Sequence, residues 1–183
     1  MDIFAHGLWA AAAARGSNRK VRRKISVWWT AWWGVFPDLF AFAPAIAFML
    51  WRRLAGVRPP AAVGDRSDPV FHLAWSLYQA SHSLIAFGAV FGLVWLIARR
   101  PWLPMLGWAL HIVIDIPTHT ARFFPTPFLW PVSPYRFSGI SWGNPWFMLV
   151  NWSAIAIVYL LLRRTGRRRR KEPSCRSGVY PPV

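Results

Sequence analysis

Three ionisable residues stand four apart in one apolar stretch: His111, Asp115 and His119 in LGWALHIVIDIPTHTARFF. His82 lies in a second such stretch, LYQASHSLIAFGAVFGLVW, and Asp38 in a third, WWTAWWGVFPDLFAFAPAIAFML. Hydrocarbon solvates neither imidazole nor carboxylate, so groups kept in such segments have partners and mark sites. The partners at hand are one another. Neutral imidazole with carboxylate is a donor set for a divalent metal, zinc being the expected ion. Residues four apart on a helix are offset by about 40° and one turn. His111 and Asp115 can therefore grip one ion from a single face. Pro117 bends or ends the helix before His119, which leaves His119 for a second ion or for substrate. The plain alternative is a polar stripe hydrogen-bonded to a neighbouring helix.

The remaining candidates come from other segments. His82 sits between Ser81 and Ser83. Alone it reads as a histidine satisfied by a hydroxyl; beside the row at 111–119 it reads as a ligand. Asp38 follows Pro37, and no Lys or Arg of the apolar segments lies near it, so a cation is expected there. His6 shares a helix face with Asp2 and is either a ligand or interfacial, while Asp2 is expected to cap the first helix or to face water near the terminus. Arg122, one turn past His119, either meets a substrate phosphate or anchors the end of its segment. Asp38 and His119 are the candidate general bases wherever they are not ligated.

The elements that must position these residues read as membrane helices. The chain has 183 residues, 55% of them hydrophobic, with 14 Trp gathered near segment ends. That placement resembles the aromatic belts of bilayer interfaces. We expect an all-α polytopic bundle of four spanning helices, Ile25–Trp51, Pro69–Ala98, Pro101 to about Ala121, and Trp142–Leu162, preceded by a short apolar helix over 2–14. Residues 1–162 would form the membrane domain and 163–183 a basic, disordered cytoplasmic tail. The formal charge of +16 could suggest nucleic acid. The charges lie in short clusters between apolar segments, however, as in positive-inside loops, and no specific nucleic acid is expected. With the loop at 15–24 inside, 16 basic residues fall inside and 6 outside. Both termini then lie in the cytoplasm of a multi-pass inner-membrane protein. Cys175 is the sole cysteine, which excludes an intrachain disulfide and a thiolate zinc site. At the helical rise, Asp38, His82, His111, Asp115 and His119 lie about 15–27 Å from the inner ends of their segments, and His6 about 12 Å. One layer of ligands is the consequence.

These pieces resemble a bacterial inner-membrane family of metal-dependent hydrolases, the LexA-binding, inner-membrane-associated type. The likeness rests on MDIFAHGLWAAA, GVFPDLF, the SHS around His82, and HIVIDIPTHT followed by FFPTPFLWP, in that order over most of residues 1–132. The resemblance implies His6, Asp38, His82, His111 and Asp115 as metal ligands, with His119 in or near the site. The ligand order is also similar to that of zinc-dependent phospholipase C and related single-strand nucleases, all-helical enzymes that cleave phosphoesters. Phe40 stands where many members carry a second acid, and Leu77 and Tyr78 where many carry a His-Arg pair.

The expected activity is hydrolysis of a phosphoester, a lipid among the natural substrates, by water activated on one to three divalent ions. A metal carrier or sensor would use the same ligands, but the fourth segment offers a carrier little beyond Asn144 and Asn151. A structural protein that binds anionic lipid through RRTGRRRRK would explain the tail and not the buried histidines.

Overall fold

A computed structural model describes residues 1–57, 69–121 and 124–171, with side chains as far as residue 165. Six helices follow one another: α1 (Ile3–Ser17), α2 (Val27–Leu54), α3 (Pro69–Ser81), α4 (Leu84–Ala98), α5 (Leu106–Thr118) and α6 (Pro145–Lys171), with a 3-10 turn at Leu103–Met105. No β-strand forms among the described residues. Asp2 caps α1, its carboxylate accepting from the Ala5 amide at 2.9 Å. The alanines that make α1 a strong helix also let it lie close to α2, and Ala10, Ala11, Ala12 and Ala14 are buried.

Among the described residues two helices are long and apolar enough to cross a membrane, α2 and Pro145–Thr165 of α6. A third crossing exists only if the bent pair α3 and α4 counts as one. The expectation of four spans is thus corrected, and prolines and one serine are the reason. The segment expected to span from Pro101 yields a 13-residue helix, about 20 Å long at the helical rise and short of a bilayer core. Pro101 and Pro104 delay its start, and Pro117 ends it by withholding an N–H from the ladder. The segment Pro69–Ala98 breaks after Ser81 with a bend of 63°. There the Ser83 hydroxyl accepts from the amides of Ile85 and Ala86, both at 3.1 Å, and starts α4 as a new helix. α6 runs on to Lys171, into the basic run.

Close helix approach assembles the interior, as small residues permit in membranes. A Cβ on Gly34 would stand 2.6 Å from Ala10 Cβ, and one on Gly107 2.2 Å from the Thr30 carbonyl oxygen. α1 and α5 therefore both press against the first half of α2, meeting it at Gly34. Met105, Trp108 and Ile112 form one buried cluster against Trp33, Phe36 and Phe87, and Met1, Ala5 and Ile155 form another. α4 fully buries no residue: Phe87, Phe91 and Val94 pack against the first cluster, while Leu93, Leu96 and Ile97 are exposed and left for lipid.

The basic runs gather at one end. The Arg19 guanidinium donates to the Thr165 hydroxyl and the Leu162 carbonyl. Arg23 and Lys24 line a crevice of about 210 Å³ with Pro101 and Pro104. The rings of Trp29 and Trp102 lie 5.8 Å apart at the same end. α1 runs from the interior toward this end, and Met1 is buried inside the bundle.

Candidate metal centre

The sequence places four donors on three elements, and the fold brings them to one point. Asp38 comes from the middle of α2, His82 from the break between α3 and α4, and His111 and Asp115 from consecutive turns of α5. Each offers one ligand atom, all within 4.8 Å of one another, a group that could hold a metal ion. The spacing can be compared with what zinc needs. Four donors about 2.1 Å from a tetrahedral ion stand about 3.4 Å apart. Here His82 Nε2 and His111 Nε2 are 3.0 Å apart. His111 Nε2 lies 3.2 Å from Asp115 Oδ2, and His82 Nε2 3.5 Å from the same oxygen. Asp38 Oδ1 lies 3.4 Å from His82 Nε2 and 3.7 Å from His111 Nε2. Five edges of the tetrahedron are therefore near the required length.

The surroundings fix the His111 ring so that its Nε2 lone pair faces His82. His111 Nδ1 is 2.7 Å from the Gly34 carbonyl, which can only accept, so Nδ1 carries the proton. Pro37 supplies no N–H to the helix ladder just beyond Gly34, which loosens α2 where this carbonyl is drawn to His111. His82 Nδ1 pairs with the Ser81 hydroxyl at 2.9 Å. The Ser81 carbonyl in turn accepts from the Trp108 indole at 2.6 Å. Such outer partners set the tautomer and aim of a ligating imidazole. Two neutral Nε2 atoms at 3.0 Å repel unless a cation or a proton lies between them. Asp115 Oδ2 is fully buried without a hydrogen bond, although two imidazoles flank it. The donor set therefore fits a cation.

Asp115 faces two ways. Its Oδ1 lies 2.9 Å from His6 Nε2, 3.4 Å from His119 Nε2 and 2.5 Å from the Met1 nitrogen. His6 makes no hydrogen bond through either ring nitrogen, since its approach to Asp115 is close but not aligned. Its ring stacks on His111 with centroids 3.7 Å apart. Burial lowers the His6 imidazole to about 4, against the pull of Asp115, so the ring is neutral and keeps a lone pair to give. His119 follows the end of α5 in an extended conformation. Its Nδ1 donates to the Phe124 carbonyl at 2.7 Å, which turns the Nε2 lone pair to the Met1 nitrogen, 3.2 Å away beside Asp115. Tyr78 donates to the same carbonyl at 2.7 Å and stacks on His82 with centroids 3.8 Å apart. Phe124 holds this carbonyl in place with φ 43°, a left-handed conformation costly for an aromatic residue and typical of functional loops.

Six of the seven residues singled out from the sequence thus converge: the four donors, with His6 and His119 on the opposite edge of Asp115. Arg122 lies outside the described residues. Phe40 is 43% exposed on α2 and adds no donor. Sequence reasoning missed Tyr78, Phe124, Ser81 and Gly34. Of these, only the serine flanking His82 gave a signal. Asp38 and His119 also line a cleft of about 540 Å³ with Ile3, Phe42, Ile46 and Trp142. The Asp38 side chain is 13% exposed, against 1% or less for His82, His111 and Asp115. No family model, curated protein or solved structure matches this chain, so the chemistry of the site itself carries the functional reading.

Proposed function

We propose that this protein is a membrane-embedded, metal-dependent hydrolase of phosphoesters. The observation that carries the reading is the buried quartet of Asp38, His82, His111 and Asp115 at tetrahedral spacing, next to a histidine and a carboxylate that reach a cleft. Two nitrogens and two oxygens favour zinc among common divalent ions. Asp115 Oδ1, with His6, offers donors for a second ion. The order of these residues along the chain, which resembles that of the inner-membrane hydrolases, points the same way.

A divalent ion in the quartet supplies Lewis acidity: it makes water a better nucleophile near neutral pH and offsets the charge growing on phosphoryl oxygen. The protein's own groups do the rest. Asp115 and His111, held on one rigid helix, fix the donor geometry. His119 presents Nε2 as a base because its Nδ1 proton is committed to Phe124. It takes one proton from water as the water oxygen bonds to phosphorus. It returns that proton to the ester oxygen as the old P–O bond breaks. Asp38, at the cleft floor, orients the water. The apolar walls exclude bulk solvent, which strengthens each of these interactions.

The basic end of the bundle faces the cytoplasm in this reading, where anionic lipid attracts it, and the molecule resides in the inner membrane. Elemental analysis of detergent-purified protein, alongside turnover of a para-nitrophenyl phosphoester, tests the proposal. We expect stoichiometric zinc and zinc-dependent turnover, both lost in His111→Ala. A protein free of metal, or metal content unchanged in His111→Ala, refutes it.

A further inference from the structure

The cleft beside the quartet says which phosphoesters can arrive. Its α2 wall is Leu39, Phe42, Ala43, Ile46 and Ala47, one continuous helix face at spacings of three and four. Ile3 and Trp142 stand in the rest of its lining. The face climbs about 13 Å from Asp38 at the helical rise. Its ionisable groups are Asp38, His119 and the amino group of Met1, and all three belong to the site, the last paired with Asp115. Ile46 is 58% exposed, so the cleft opens on the flank that would meet lipid. His82, His111 and Asp115 are sealed, and Asp38 alone of the quartet keeps appreciable exposure. A reacting group that gets to the quartet past Asp38 therefore travels along hydrocarbon.

We propose that this cleft seats the hydrocarbon chain of the substrate. The substrate class is then an amphiphilic phosphoester whose alkyl or acyl chain begins next to the scissile group, and Ala43 and Ala47 set which chains fit. The inference rests on the hydrolase reading and narrows it. A small polar phosphoester lacks the surface that makes this route favourable. A chain taken from water into the cleft strengthens binding roughly fourfold for each methylene buried. A chain taken from the bilayer gains position rather than affinity, since lipid is as apolar as the cleft. At Ala43 and Ala47, both exposed along the cleft, a large side chain occupies the space a chain would need without touching a donor.

The test uses the full chain in nanodiscs with two probes. The first is a dodecyl phosphonate with a diazirine at the chain end, whose C–P bond is not hydrolysed. Labelled peptides are mapped by mass spectrometry. We expect labelling on residues 39–47 and at Ile3, displaced by excess octyl phosphonate. Labelling of residues 39–47 should fall to the level seen on exposed residues of α4 in Ala43→Trp, whose ring takes the chain's place, with metal content as in the unaltered protein. Ala47→Phe serves equally if Ala43→Trp does not fold. Label spread over the lipid face of α4, or unchanged by both substitutions, overturns the proposal. The second probe is a pair of para-nitrophenyl phosphodiesters with methyl and octyl chains, dissolved below micelle formation. Turnover that favours octyl by at least about a hundredfold in kcat/KM supports the proposal. Equal turnover overturns it and leaves the hydrolase reading standing. Cleft labelling with no turnover of either ester, metal bound, overturns the hydrolase reading and keeps the cleft as a chain site.

Discussion

Removing the metal should destabilise the protein by an amount the structure sets, and removing one ligand should then reverse the sign. The ligand oxygens of Asp38 and Asp115 lie within 4.8 Å of each other. Two unit negative charges at that distance repel by roughly 3.5 kcal/mol at an effective dielectric of about 20. A divalent cation between them abolishes that cost; a chelator restores it. For a chain of this size about 1 kcal/mol moves the melting midpoint by roughly 2–4 °C, so chelation should lower it by about 7–14 °C. The figure counts the carboxylate pair alone. Asp38→Asn keeps the shape and removes one charge. The metal-loaded variant should melt below the metal-loaded wild type, because a donor is lost. The metal-free variant should melt above the metal-free wild type, because the repulsion is gone. Differential scanning fluorimetry in one detergent, after long incubation with and without EDTA, measures all four midpoints. A wild-type midpoint indifferent to EDTA, or an Asn variant that melts lower in both states, refutes the reasoning.

Three further substitutions separate the roles of neighbouring groups. His119→Ala should keep the quartet's metal, measured by elemental analysis, while turnover falls roughly 100- to 10,000-fold, the usual scale of a lost general base; loss of metal along with activity would instead make His119 a ligand. Tyr78→Phe removes one donor to the Phe124 carbonyl, which still accepts from His119. It should cost about 1 kcal/mol in denaturant unfolding and slow turnover by up to about tenfold as His119 loses its fixed aim. Gly34→Ala places a methyl 2.6 Å from Ala10 Cβ, and should cost about 1–3 kcal/mol and reduce metal occupancy by turning the Gly34 carbonyl from His111. Gly16→Ala, where a Cβ meets nothing within 4 Å, is the neutral control.

The donors were legible because residue type alone makes them improbable where they stand. A carboxylate or imidazole in an apolar run has few physical excuses, and the i, i+4 spacing of His111 and Asp115 survives any small error in helix bounds. The span count was not legible, because hydropathy averages over residues that decide locally. Pro117 stops α5 whatever the apolar content around it. Ser83 offers its hydroxyl to two amides and outcompetes continuation of α3, although the same serine reads as a mere neighbour of His82. Tyr78 and Phe124 escaped because their roles depend on contact across 41 and 46 residues of chain. No local pattern announces that a backbone carbonyl will be turned toward a histidine. Gly34 was invisible for the same reason, its importance lying in Ala10 and His111.

The sealing of the quartet has a kinetic consequence. An ion held by Asp38, His82, His111 and Asp115 has Asp38 as its one partly open neighbour, and every other route out crosses packed side chains. Ligand exchange with solvent must then await a breathing motion of α2 against α5, and residence times lengthen accordingly. Occupancy would be settled while the helices assemble, by whichever divalent ion is abundant at that moment. Two preparations of one chain, grown in media of different metal content, should stay distinguishable through purification.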